Sequence, residues 1–499
     1  MTGRGVVAAG HPESAAAGAA VLRAGGNAVD AAVAAVLTSF VAEPLLTGLG
    51  SGGYLLVVPP GGEAVLLDFF IETPGRGRGL NDRAPLRAVT VDFGDATQVF
   101  HAGAASCGTY GTPAGLAAAV AGFGRAPLAE LTGPAVRLAR AGVRVTPMQE
   151  YLYDLLAEIN AGTAAGRARY LPGGAPPRTG DLVTDPELAD ALERFGAEGA
   201  AHFYTGDVAA AVVEEVRAQG GLLGAADLAA YEVVRRDPIH VPYRDTVVCT
   251  NPPPSAGGVL VGRALAELGS ALRPPDIPAL VAAMVTAERE RTPEFLAGLS
   301  DAGSGDAGLG DAACAIANRL GSTTHVSVLD ADGWACAVTT SNGEGSGVVV
   351  PGTGVHLNNV LGEEDLSPLG FHVEPPGRRL PSMMAPTVVL HEGVAQLVVG
   401  SAGSNRIRST LLQVIVNVVD RGLAAQDAVD APRVHYAPDE LFAEPGIPAA
   451  GLAATGLPVT LFREPNLYFG GCQAVVCDRA TGVLTGGADP RRGGGVAVA

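Results

Sequence analysis

The sequence contains no lysine: all 33 basic residues are arginine, against 51 acidic ones. The resulting net charge of −18 argues against nucleic acid or an anionic membrane surface as a main partner. Aromatic residues are scarce, with one Trp, 10 Tyr and 13 Phe, whereas glycine reaches 69. That balance favours close backbone packing and many turns over aromatic recognition surfaces. Six scattered cysteines, Cys107, Cys249, Cys314, Cys336, Cys472 and Cys477, are too isolated for a zinc site or a disulfide framework, and are expected to be buried thiols. No apolar run is long enough for a signal core or a bilayer crossing, and the stretch from Ala31 to Phe40 is too short to span. A cytoplasmic protein is expected. No cofactor or metal signature is present.

With 47% hydrophobic residues, a chain of 499 can bury a large core. Residues 13–25 and 28–40 have helical apolar spacing around Gly25–Gly26, the pattern of an αα-hairpin. Strands are expected from GLGSGGYLLVV (48–58) and EAVLLDFF (63–70), and long helical regions around 114–142 and 185–219. RDTVVCT (244–250) reads as a strand and VLVGRALAELG (259–269) as a helix. The Gly/Ala/Asp-rich stretch 299–312 reads as an exposed, flexible segment. After it, THVSVLD (324–330) and WACAVTTS (334–341) flank Asp332-Gly333, a hairpin signal. Further strands are expected at 387–393, 395–400 and 472–478, with an amphipathic helix at 406–422. Helices on either side of antiparallel hairpins indicate a layered α/β architecture, since the last third lacks βαβ alternation.

The segment GSTTH (321–325) runs directly into a strand. A threonine hydroxyl is a poor nucleophile unless a base stands beside it, and a free α-amine on the same residue supplies one. Such an amine has an ordinary pKa of roughly 7.7–8.0, so it can accept and return a proton near neutrality. The chain would have to be cut immediately before the threonine that acts.

The sequence resembles the γ-glutamyltransferase (γ-glutamyl transpeptidase) family along nearly its whole length. The strings carrying the resemblance include GHPESAAAGAAVLRAGGNAVDAAVAA (10–35), EPLLTGLGSGGYLLV (43–57), GTPAGLAAAVAGFGRAPLAEL (111–131) and PPPSAGGVL (252–260). They continue through STTHVSVLDADGWACAVTTS (322–341), PSMMAPTVV (381–389) and GSAGSNRI (400–407). The resemblance implies an αββα sandwich of the N-terminal-nucleophile hydrolase type, made as one chain and cut into a large subunit (1–322) and a small one (323–499). It puts Thr323 at the nucleophile, Ser341 at a second hydroxyl that bonds it, and Gly403 and Ser404 at the backbone oxyanion hole. Ser404 stands where the family has glycine, so the hole depends on Ser404 adopting the required backbone angles.

The substrate end departs from the family. The Arg of its D-x-R-E-like string, which binds an α-carboxylate, falls on Ile71 in DFFIETPG (68–75). An Asn falls on Gly343 or is shifted to Asn342. The Gln-x-x-Asp that grips an amino group corresponds to Val360 and Glu363, and a serine pair has become Ser382 and Met383. Arg76, Arg78, Arg378 and Arg379 are candidates for a replacement cation, with surface solvation as the alternative for each. Glu344, Glu363, Glu364 and Asp365 are expected in loops near Thr323, either binding a cationic substrate or merely solvated. His325 reads as structural, on the opposite face from Thr324.

These observations point to an enzyme that attacks a γ-glutamyl or related carbonyl, with water or an amine as acceptor. Two alternatives stay open. One is a homologue in natural-product metabolism acting on a C–C bond or another amide. The other is a catalytically idle homologue with a binding or structural role.

Overall fold

Two antiparallel sheets face each other at the centre of the molecule. The computed structural model describes residues 3–78, 83–92, 97–292, 294–295, 298–299, 323–366 and 370–499. The first sheet has the order Gly495–Val498, Gly5–Ala9, Thr324–Asp330, Ala335–Ser341, Gly52–Val58, Val65–Phe69 and Val234–Arg236. The second runs Leu484–Ala488, Gly471–Cys477, Val394–Ala402, Thr387–His391, Thr246–Thr250 and Ile239–Tyr243. Helices Pro12–Arg23 and Ala28–Ala42 cover the outer face of the first sheet. Helices Ala256–Leu268 and Arg406–Val419 cover the second. This is the αββα sandwich.

The hairpin at the centre follows from local sequence. Thr324 pairs with Thr340 and Leu329 with Ala335, and every residue of both strands is buried. Such strands lie between layers on both sides, which is why they alternate apolar with hydroxyl residues rather than with charged ones. Asp330 shapes the turn by accepting from the Asp332 and Trp334 backbone N–H groups at 3.0 and 2.9 Å. Gly333, at φ 90°, completes it. Ala28–Ala42 is buried along its whole length and begins with a capping box of Asn27 and Asp30.

Two expectations change in detail. The helical region near 114–142 is two helices, Thr112–Phe123 and Leu128–Ala141, interrupted before Pro127, whose ring disfavours helical geometry in the residue preceding it. The region near 185–219 is likewise Pro186–Glu198 and Asp207–Ala218, with Gly199 at φ 75° closing the first. Of the expected flexible stretch 299–312, only residue 299 lies within the described residues, and Cys314 lies outside them. The five described cysteines are free thiols, all but Cys477 buried. Among the described residues, no helix is long and apolar enough to cross a membrane.

Candidate active site

A small, open cleft lies where Thr323 and Ser341 of the first sheet face Ser404, beyond the end of strand Val394–Ala402 of the second. Thr323 reaches it because it immediately precedes strand Thr324–Asp330, and Ser341 because it ends strand Ala335–Ser341. Continuing the antiparallel register by one residue sets these two opposite each other. The Thr323 hydroxyl donates to Ser341 Oγ at 3.3 Å, and the Gly343 backbone N–H donates to the same oxygen at 3.0 Å. The Ser341 oxygen is thus fixed by a backbone group and turned toward Thr323.

The second sheet supplies the opposite wall. Gly403 and Ser404 join strand Val394–Ala402 to helix Arg406–Val419. Gly403 lies at φ 123°, and a Cβ there would fall 2.8 Å from Gly470 Cα. Ser404 takes φ 48°, a left-handed conformation uncommon for serine. The angles available to glycine at this position are therefore adopted by Ser404. Backbone N–H groups at this junction stand at a helix N-terminus, whose partial positive charge suits a developing oxyanion. A hydroxyl with an ordered hydroxyl neighbour, facing such a turn, is suited to attack on a carbonyl.

Glu363, Ser382 and Met383 line the same cleft, together with Phe70, Leu366, Met384 and Ile407. Glu363 is the only charged side chain among the described residues that line it. Gly343 packs beside it: a Cβ at Gly343 would come within 2.7 Å of Glu363 Oε1 and 2.0 Å of Asn359 Oδ1, and the backbone there has φ 61°. Asn342 is fully buried behind Ser341 and donates to the His356 carbonyl at 3.2 Å, outside the cleft lining. Val360 is buried as well. Glu344 is buried against Asn359, which donates to its carboxylate at 3.2 Å. Glu364 pairs with His101 at 3.7 Å. Ser322 and the Asp365 side chain lie outside the described residues.

Ile71 does not reach the cleft. It is wholly buried, packed where Gly52 and Gly108 leave room for it, while its neighbour Phe70 forms the cleft wall and stacks on Tyr54 at 5.5 Å. The physical reason is the two-residue period of an extended chain, which sends residues 70 and 71 to opposite faces. The same period, counted from Asp68, would have found Phe70 in the sequence.

The four arginines considered as replacement cations are engaged elsewhere. Arg76 pairs with Glu72 at 3.2 Å, Arg378 with Glu374 at 3.0 Å, and Arg78 donates to the Gly221 carbonyl at 3.2 Å. Arg379 is buried among Asp68, Glu72 and Tyr231 and donates to the Phe70 carbonyl. Burial and the hydrogen bonds of His325, to Thr339 at 2.7 Å and Ser327 at 2.9 Å, hold its ring between the sheets, and burial drives its pKa down to about 3. Among the described residues, no group of three or more His, Cys, Asp or Glu side chains converges to hold a metal ion.

The family profile for gamma-glutamyltranspeptidase matches residues 14–295 and 299–499. The chain belongs to the γ-glutamyltranspeptidase family. It is 34% identical to the acylase ACY 1 proenzyme of Pseudomonas sp. (strain SE83), over 97% of this chain and 92% of that protein. With the glutathione hydrolase proenzyme of Escherichia coli (strain K12) it shares 31% identity, over 98% of this chain and 90% of the relative. The solved structure of a cephalosporin acylase from Bacillus halodurans superposes with a TM-score of 0.83 at 26% identity, covering 99% and 96% of the two chains. A γ-glutamyltranspeptidase-family member with this sandwich is an enzyme, an N-terminal-nucleophile hydrolase or transferase.

Proposed function

We propose that the chain cuts itself between Ser322 and Thr323, giving a large subunit (1–322) and a small one (323–499), and that Thr323 then acts as the nucleophile. Its new α-amine takes the hydroxyl proton as the oxygen attacks an acyl carbonyl, and returns a proton to the leaving amine. Ser341 holds the Thr323 hydroxyl in place. Backbone N–H groups of Gly403 and Ser404 donate to the oxyanion of the tetrahedral intermediate and stabilise its charge. Water or an amine then releases the acyl group.

The acyl donor is an amide with an apolar acyl group, bearing an amino group that meets Glu363 and lacking an α-carboxylate. Support comes from the cleft lining, where among the described residues Phe70, Leu366 and Met383 surround one carboxylate, Glu363, and no arginine. This favours an acylase over an ordinary γ-glutamyl transferase, in keeping with acylases among its relatives. The observation that carries the reading is the Thr323–Ser341 hydrogen bond inside the cleft.

Mass spectrometry of the purified protein tests it. Wild type should give two polypeptides, one beginning at Thr323, and Thr323→Ala should stay intact. A wild-type chain that remains whole would end the proposal. A panel of γ-glutamyl, glutaryl and aliphatic anilides then tests the donor. Turnover of the γ-glutamyl anilide equal to the best of the others would overturn the acyl-group assignment.

A further inference from the structure

Thr323 and Thr324 are consecutive, so their side chains leave the first sheet on opposite faces. Thr323 faces the cleft. Thr324 faces the helical layer, where its hydroxyl meets both carboxylate oxygens of Glu43, at 3.0 and 3.1 Å. Glu43 is the C-cap of helix Ala28–Ala42 and is 7% exposed. It crowds the start of the strand so closely that a Cβ on Gly10 would lie 2.3 Å from Glu43 Oε1 and 2.6 Å from Thr324 Oγ1.

A buried carboxylate is an expensive way to satisfy one hydroxyl, since any backbone carbonyl would serve. Burial pushes the Glu43 carboxyl up to about 7, against the Thr324 hydroxyl and Arg492, which both favour its charged form. Of the other titratable groups in the same small cavity, only Arg492 opposes its charge. His11, in the same small cavity, is driven down to about 4 by burial and stays neutral, and burial raises Tyr153. Arg492 is lowered to about 10 by burial and by Arg406, and the charge of Glu344 acts on it alongside that of Glu43. Glu43 therefore shares Arg492 with two other carboxylates, Asp489 and Glu344.

Cutting before Thr323 creates an α-ammonium group one residue from Thr324. We propose that Glu43 is a positioning residue for that amine: through Thr324 it anchors the new strand end, and its negative charge strengthens the hold of the Thr323 α-amine on its proton. The inference rests on the reading of Thr323 as an N-terminal nucleophile. Six bonds separate the Thr324 hydroxyl oxygen from the Thr323 nitrogen, which sets them within about 7 Å of each other and the Glu43 carboxylate within about 10 Å of the amine. At that range an ionised Glu43 raises the amine pKa by about half a unit to one unit. Glu43 and the amine titrate over the same pH range, so they lose their protons as a coupled pair.

The absence of lysine makes a direct test possible. A fragment of residues 323–499 carries one primary amine, its own α-amine. Among amines, cyanate carbamylates only the neutral form, so in the cut two-chain protein the pH dependence of its reaction, read by mass spectrometry on the peptide that begins at Thr323 and so apart from any thiol adduct, gives the amine's pKa without any substrate. Glu43→Gln should lower the midpoint by about half a unit to one unit, while Thr324→Ser, which keeps the hydroxyl, should leave it in place. If Glu43→Gln does not accumulate as folded protein, Thr324→Val carries the test. Loss of the hydroxyl leaves Glu43 protonated over more of the range and lowers the midpoint in the same direction. A cut protein whose midpoint stays within about 0.2 units of wild type in the variant used overturns the role of Glu43 alone. A wild-type chain that is never cut overturns the nucleophile reading, and this inference with it.

Discussion

The His325 ring fills the space that a side chain on Gly400 would need: a Cβ built on Gly400 would lie 2.1 Å from Cε1 and 2.3 Å from Nδ1 of that ring. Because Thr339 and Ser327 hold the two ring nitrogens, the ring has nowhere to turn. Gly400→Ala must then push the two sheets apart beside strand Thr324–Asp330. Overpacking of this kind costs about 1–3 kcal/mol. Thermal denaturation should show a lower Tm for the variant, and an unchanged Tm would mean that the sheets separate locally without penalty.

The pH dependence of stability follows from the same burial. His325 and His356 are wholly enclosed, and burial lowers both to about 3, with Arg169 adding to the effect at His356. Below about 6.5 the unfolded chain takes up protons that these folded rings refuse, so stability declines as pH falls from 6.5 toward 3. Between pH 6.5 and 5 each ring accounts for a loss of about 2 kcal/mol. Glu43 works in the opposite sense. Its folded pKa of about 7 exceeds its unfolded value of 4.5, so the folded state gains a proton first and is helped as pH falls through that window. The wild-type Tm should therefore fall between pH 7 and 5, and Glu43→Gln should make the fall steeper. A variant with the shallower profile would contradict this assignment of charge.

Ser341 lends itself to a paired substitution. Ser341→Ala removes the oxygen that receives both the Thr323 hydroxyl and the Gly343 N–H. With the best anilide from the substrate panel, kcat should drop about 10- to 100-fold, the worth of one or two hydrogen bonds expressed as rate. Ser341→Thr keeps the oxygen and should stay within a few-fold of wild type. Equal losses in both variants would indicate that packing, not the hydroxyl, is what matters at 341.

Where the chain's own periodicity governs structure, the sequence was readable. The hairpin of 324–330 and 335–341 agrees with the sequence reading almost residue for residue, because an Asp-Gly turn and continuous strand-forming residues leave little choice. Strand Gly5–Ala9 has no clear signature in the sequence: GVVAA is short, and both its partners, Thr324–Asp330 and Gly495–Val498, lie more than 300 residues away. Family motifs point to Thr323, Ser341 and Ser404 together, and the structure sets all three at one cleft; the same motifs put the carboxylate-binding position at Ile71, whereas it is Phe70 that lines the cleft, a one-residue shift that alternation explains. Glu43 gave no signal at all. Its place beside Thr324 depends on where the helix Ala28–Ala42 ends relative to a strand 281 residues later, which no local pattern encodes.

Phe70→Arg offers the sharpest test of the acyl-donor assignment. Phe70 lines the cleft and rests on Tyr54, whereas Arg379 and Tyr231 hold its backbone carbonyl, not its ring. The substitution thus changes the cleft chemistry and leaves the supporting network attached to the main chain. It introduces a cation where Glu363 is the only charge among the described lining residues. A charge-assisted hydrogen bond to an α-carboxylate contributes about 1.5–3 kcal/mol, so kcat/KM for a γ-glutamyl anilide should rise roughly 10- to 100-fold. Turnover of the apolar donor should fall, since its acyl group loses an aromatic wall. Phe70→Leu separates the two effects: it should weaken the apolar donor without helping the γ-glutamyl one. A Phe70→Arg enzyme that is cut at Thr323 but shows no gain would place carboxylate recognition, or its absence, somewhere other than position 70.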